Sequence, residues 1–167
     1  EKNIFGGFLC RPLEEVHRRG AIFLSTSGTT AKPRRFILDR EEWDIYADAS
    51  ARVVWTGGVR PGDVVFLPFP LTLWTAGWVF QLAFEKIGVS CITAGPPFDT
   101  KQRIALIQDF KPTVSVSTPS YILHLAAAAK EGGLKPRDLG FKLILMGGEP
   151  CPPASRRRIE DLFESPG

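Results

Sequence analysis

Short apolar runs alternate with helix-length segments along most of this 167-residue chain, and that alternation constrains the fold more than any other feature. The runs fall at residues 21–24, 36–38, 64–67, 90–93, 113–117 and 142–146. Helix signals lie between them. Asp39 followed three positions later by Glu42, and Asp99 followed by Gln102, are capping boxes, in which each side chain bonds the other residue's backbone N–H. Thr118-Pro119 sets an N-cap before a proline at the first helical position, where the missing N–H costs nothing. Gly57-Gly58 and Gly132-Gly133 supply stops. Short apolar strands separated by helices imply crossover connections, hence an α/β fold with a mainly parallel sheet and helices on both faces. The length suits one such domain rather than two, so residues 1–167 read as a single α/β subdomain.

The helical segments carry their own patterns. Trp43, Tyr46, Ala47, Val53 and Val54 recur at helical spacing after Asp39, and Gly57-Gly58 ends that helix. Ile104, Ile107 and Phe110 give a second buried stripe, and Ile159, Leu162 and Phe163 mark the last helix. No charge occurs from Val64 through Phe84, and a membrane helix needs roughly 20 apolar residues. Pro68 and Pro70 divide the stretch, because proline removes a helix donor and clashes with the preceding turn. A buried strand followed by a buried helix near 74–84 is therefore expected, and no membrane partner.

Hydrophobic residues at 44% and charged residues at 23% exclude general disorder. The net charge of +3 is small, and its one basic run, Arg156-Arg157-Arg158, reads as a solvated helix face. No basic stripe with interleaved aromatics argues for nucleic acid. Cys10, Cys91 and Cys151 lack metal-ligand spacing, and only His17 and His124 accompany them, so no metal site is expected. An odd cysteine count without a framework suits a reducing, cytoplasmic setting.

In parallel sheets ligands gather at the carboxyl ends of strands, and the polar motifs lie there: residues 25–33, 68–78, 118–121 and 147–151. Ser25, Thr26, Ser27, Gly28, Thr29 and Thr30 offer hydroxyls and backbone N–H groups, and Lys32 adds a point charge for phosphate oxygens. Pro33 stiffens the exit. The spacing is not that of the kinase and ATPase phosphate loops. On chemistry alone the segment fits either a phosphate cradle or an ordinary polar turn.

Ser27-Gly28-Thr29-Thr30-Ala31-Lys32-Pro33 resembles the phosphate loop of the adenylate-forming acyl-coenzyme A synthetases. Further segments resemble the phenylacetate-coenzyme A ligase family: Val59-Arg60-Pro61-Gly62-Asp63-Val64-Val65, Ile107-Gln108-Asp109-Phe110-Lys111-Pro112-Thr113, Thr118-Pro119-Ser120-Tyr121 and Gly147-Gly148-Glu149-Pro150. They occur in the family's order and cover most of the chain from Ala21 onward. The resemblance implies a subdomain of the N-terminal domain of an AMP-forming acid–thiol ligase. A carboxylate attacks the α-phosphorus of Mg-ATP, giving an acyl-adenylate and pyrophosphate, and the thiol of coenzyme A then takes the acyl group.

By the same resemblance, residues 25–33 bind the β- and γ-phosphates, with Lys32 as the charge-stabilising catalytic residue. Gly147, Gly148, Glu149 and Pro150 lie near the adenine and acyl pocket. Trp74 and Tyr121 clamp an aromatic acid or pack in the core; Trp78 and His124 are structural. Glu149 binds substrate or caps the last helix. ATP, Mg2+ and coenzyme A are the implied small molecules, and the rest of the enzyme chain and a second copy the implied protein partners.

Two residues depart from the family pattern. Ala31 replaces a usual glycine, and a methyl group there restricts positive φ. Cys151 stands where tryptophan is usual and reads as a small buried residue. The family's Tyr-Gly-x-Ser/Thr-Glu motif, with its magnesium ligand, follows the last helix and lies beyond Gly167. The expectation is a piece of a longer enzyme that does not complete adenylation alone. Transfer to a protein thiol, or a non-catalytic nucleotide-binding relic, are the alternatives.

Overall fold

The computed structural model describes Phe5, residues 9–26 and residues 32–164. A short helix α1 (Leu13–Arg18) leads into β1 (Ala21–Ser25) and β2 (Arg35–Asp39). Then follow α2 (Arg40–Thr56), β3 (Val64–Leu67), α3 (Thr75–Lys86), β4 (Ser90–Thr93), α4 (Thr100–Phe110), β5 (Val114–Ser117) and α5 (Pro119–Glu131). A 3-10 turn (Pro136–Leu139), β6 (Leu143–Met146) and α6 (Pro153–Phe163) complete the described order. Both expected capping boxes form, and Thr118 accepts from the Tyr121 N–H with Pro119 at the first helical position.

The strands β4-β3-β5-β6 form a parallel sheet. From β3 the chain passes through α3 to β4 on one side, then returns through α4 to β5 on the other. That reversal makes the carboxyl ends of β3 and β5 the switch point at which doubly wound sheets form a crevice for ligands. Side-chain alternation along β3 supplies both cores. Val65 and Leu67 join Val54, Ala83, Phe84, Val114 and Val116 on the α2/α3 face. Phe66 joins Ile104, Ile122, Leu125, Ile159 and Phe163 on the α4–α6 face, its ring stacked on Phe141 at 6.3 Å.

Two sequence expectations are corrected, the placement of β1 and β2 and the buried stripe of α4. β1 and β2 do not enter the parallel sheet; they pair antiparallel, Ala21 opposite Asp39 and Ser25 opposite Arg35. The stretch between them is too short for a parallel crossover, which needs a dozen or more residues. The buried face of α2 is Ala47, Ser50, Ala51 and Val54, whereas Tyr46 and Val53 are exposed. In α4 the stripe is Ile104 and Ile107 alone, since Phe110 is 58% exposed. Helix α1 and the 3-10 turn carried no distinct signal in the sequence.

The amino edge of the sheet is tied by Asp63. Its buried carboxylate accepts from the Arg60 N–H at 2.9 Å and the Thr113 hydroxyl at 2.8 Å, and pairs with Lys142 Nζ at 2.7 Å. These bonds join the entries of β3, β5 and β6. The segments 59–65 and 107–113 lie here, at the end of the sheet away from the crevice.

Candidate functional site

Four carboxyl-edge segments meet in pairs. At the end of β1 the Ser25 N–H donates to the Leu73 carbonyl at 2.8 Å, which fastens the start of the hydroxyl-rich loop to the turn after β3. The loop's neck is closed by two bonds: Thr26 N–H to the Arg34 carbonyl, and Arg34 N–H to Thr26 Oγ1, both 3.0 Å. Because Thr26 Oγ1 is engaged as an acceptor, its hydroxyl proton is the part suited to a phosphate oxygen. Ser27, Gly28, Thr29, Thr30 and Ala31 lie outside the described residues. Lys32, across the neck, is exposed.

The turn between β3 and α3 carries the aromatic residues. Trp74 is the N-cap residue of α3, with its N–H directed to Thr72 Oγ1 at 3.3 Å. Its ring meets Phe69 edge-on at 5.6 Å and is 42% exposed, so one surface stays open at the carboxyl edge. Trp78 has the packing role its spacing suggested. Its indole N–H donates to the Thr72 carbonyl at 2.6 Å and its ring sits edge-on to Trp43.

The second pair joins the turns after β5 and β6. The Gly147 N–H donates to the Ser117 carbonyl at 3.1 Å. Gly148 has φ +80°, a left-handed conformation that favours glycine, and its position lies against the Thr118 methyl. The Glu149 carboxylate accepts from the Ser120 hydroxyl at 2.7 Å and the Ser120 N–H at 3.1 Å. Glu149 therefore caps α5 rather than the last helix. An anion is favoured at a helix N-terminus. The Ser120 hydroxyl, then its backbone N–H, hold the Glu149 carboxyl below its ordinary range against a small burial cost.

Tyr121 is engaged elsewhere than Trp74. Its hydroxyl accepts from Arg103 Nη1 at 2.9 Å, and the guanidinium carbon lies 5.4 Å from its ring centre. Arg103 Nε also donates to the Ala94 carbonyl at 2.8 Å, tying α4 to the end of β4 and to α5. His124 is bonded to Thr100 at 3.1 Å, a structural link between α4 and α5. Arg103 escaped sequence reasoning because it stands alone in a polar helix turn with no motif around it. The Ser120–Glu149 bond likewise joins residues from two separate motifs, and only the adjacency of β5 and β6 reveals it.

Cys151 is half-buried against the α4–α6 core, in keeping with a small packing residue. Cys91 is half-buried too; burial, reinforced by nearby Glu85, pushes its thiol up to about 12, which disfavours the thiolate at neutral pH. Among the described residues no cluster of three His, Cys, Asp or Glu side chains is arranged to hold a metal ion. No described helix is long and apolar enough to cross a membrane.

Known proteins resemble this chain in sequence and in fold. The phenylacetate-coenzyme A ligase of Pseudomonas putida is 34% identical over 154 residues, covering 92% of this chain and 34% of that protein. The phenylacetate-coenzyme A ligase of Thermus thermophilus is 30% identical over 155 residues, 93% and 34% of the two chains. A crystal structure of a 2-hydroxyisobutyryl-CoA ligase, in an open conformation with 2-HIB-AMP and CoA, superposes with a TM-score of 0.85 at 31% identity. It covers 96% of this chain and 36% of that one. The chain thus spans about a third of the length of the relatives it matches. Residues 12–166 match the family model described as AMP-binding enzyme, a span that takes in both strand-end pairs, and the chain is a member of the AMP-binding enzyme family.

Proposed function

We propose that residues 1–167 form one subdomain of a larger AMP-binding domain in an ATP-dependent carboxylate–coenzyme A ligase acting on a phenylacetate-like aromatic acid. The observation that carries this reading is that the turns after β3, β5 and β6 lie along one sheet edge at the strand reversal, with the root of the hydroxyl-rich loop fastened to the first of them at Leu73. The named relatives and the CoA-bound neighbour support it. Cys91 and Cys151, both outside any disulfide, support a reducing, cytoplasmic setting.

In this reading the carboxylate oxygen attacks the α-phosphorus of ATP and the bond to pyrophosphate breaks. The coenzyme A thiol then attacks the acyl carbonyl and AMP leaves. Ser25, Thr26 and Lys32, with Ser27, Gly28, Thr29 and Thr30, hold the phosphates and offset the charge that grows on the leaving pyrophosphate. Gly147, Gly148 and Pro150 form a backbone wall for the adenine or acyl group, its position fixed by the Glu149–Ser120 bond. The exposed ring of Trp74 supplies a face for an aryl acid. Tyr121, held by Arg103 away from Trp74, belongs in this reading to the adenine or acyl pocket on the β5 side. The described residues offer no ligand set for Mg2+, and no step is assigned to it.

The test is acid-dependent ATP–pyrophosphate exchange by the full-length protein with phenylacetate, followed by coenzyme A-dependent AMP release. Exchange with no acyl transfer to coenzyme A would point to a protein thiol as acceptor. No exchange with any aryl or alkyl acid would leave a non-catalytic nucleotide-binding domain. Lys32→Ala is expected to raise the KM for ATP about tenfold or more, the worth of one charge-assisted phosphate contact.

A further inference from the structure

Two glycines outside the hydroxyl-rich loop and the Gly147–Gly148 turn make close backbone contacts with the segment that follows β3. Gly77 lies in the first turn of α3 and Gly95 just after β4, and both are buried. A Cβ on Gly77 would lie 2.5 Å from the Pro70 carbonyl oxygen. A Cβ on Gly95 would lie 2.7 Å from the Phe69 carbonyl oxygen and 2.9 Å from Pro70 Cα. In each case the obstacle is backbone, which cannot rotate aside as a side chain does. Neither glycine has positive φ. Space therefore requires them, not backbone conformation. Gly77 is the more telling, since alanine is the better helix former where room exists.

Two elements thus bracket the backbone at Pro70, Gly95 against the Phe69-Pro70 peptide and Gly77 against the carbonyl of Pro70 itself. That backbone leads directly to the aromatic face and the loop anchor. Phe69 carries the ring against which Trp74 stands, and the Leu73 carbonyl receives the Ser25 N–H at the root of the hydroxyl-rich loop.

We propose that Gly77 and Gly95 are positioning residues that form a slot for the Phe69-Pro70 backbone, and that this slot sets Trp74 for the acyl group and anchors the phosphate loop through Leu73. The functional half of the proposal rests on the ligase reading; the geometric half does not. An alanine at either position displaces the backbone at Pro70, so the two substitutions act alike although they lie on different elements.

The experiment compares Gly77→Ala and Gly95→Ala with Gly132→Ala in the full-length protein. Gly132 ends α5 with φ −79°, and its nearest atom to an added Cβ is at 3.4 Å, so it reports the generic effect of a glycine substitution. The protein is labelled with fluorotryptophan, and the Trp74 resonance is assigned by its loss in Trp74→Phe. Both slot variants are expected to move that resonance while leaving Trp55 in place. Gly132→Ala moves neither. With phenylacetate as the acid, both slot variants are expected to raise its KM about tenfold or more, in line with the sensitivity of positioned reactants to shifts near 1 Å.

A folded slot variant with an unmoved Trp74 resonance overturns the proposal. So does a KM within twofold of that of Gly132→Ala, and so does failure of both slot variants to fold, which would make the glycines part of the general scaffold. If the unsubstituted protein activates no acid, the ligase reading fails, while the fluorine spectra still decide whether the slot positions Trp74.

Discussion

At Asp63 a backbone N–H, a hydroxyl and an ammonium converge on one buried carboxylate. Burial disfavours its charge, but the bonds from Lys142, the Arg60 N–H and Thr113 outweigh that cost and hold its carboxyl below the usual range. A carboxyl depressed in the folded state stabilises the fold above its unfolded value, near 3.9, and loses that contribution as pH falls through the folded value. Asp63→Asn should therefore lower stability at pH 7 by about 2 kcal/mol, the worth of a charged hydrogen bond. Denaturant titration checks the size. The stability gap between the two proteins should shrink as pH drops from 5 toward 2, and a constant gap would show that Asp63 acts by packing alone. The pattern Arg60-Pro61-Gly62-Asp63 was legible as a family segment. Its structural duty was not, because Lys142 lies far along the chain and only the β3-β5-β6 adjacency brings it near.

Among the elements, strands and caps were easier to read than buried faces. Capping boxes are local, three-residue geometries, so Asp39–Glu42 and Asp99–Gln102 declare themselves in sequence. A buried face depends on what comes to lie opposite. Helix α2 has apolar residues on both sides, with Ile45, Tyr46, Val53 and Trp55 exposed and Ala47, Ala51 and Val54 buried. Periodicity then follows the larger side chains, whereas α3 packs close against the smaller ones. Val54 and Ala83 of the facing helix share one buried cluster, and Ala47 and Ala51 are buried at helical spacing from Val54. Ala51→Leu should cost about 1–3 kcal/mol through overpacking. Val53→Ala, on the 68% exposed side, should stay within about 0.5 kcal/mol. Thermal unfolding of the pair checks that the side carrying the small residues is the buried one. The loop's neck is a similar case: hydroxyl composition marked residues 25–33, but its attachment to Leu73 is a backbone bond that no side-chain pattern encodes.

For the molecule as a whole, the two ends of the sheet do different work. The amino edge is closed by the Asp63 bonds, and the carboxyl edge is left with an exposed tryptophan, an exposed lysine and two glycine-bearing turns. The motifs that gave the family resemblance are divided between these ends, so motif similarity alone does not tell a binding residue from a scaffold residue. The division predicts a double dissociation. Trp74→Ala removes a partly exposed ring with one aromatic neighbour, so it should cost about 1 kcal/mol or less in stability. It should nevertheless raise the KM for an aryl acid about tenfold, because the open face is lost. Asp63→Asn should do the reverse, lowering the unfolding midpoint while the KM for acid and ATP stays within twofold at temperatures where the protein is folded. Measuring both quantities on both variants separates the two ends. If Asp63→Asn changes KM as strongly as Trp74→Ala, the strands transmit displacement along their length, and the amino edge belongs to the site as much as the carboxyl edge does.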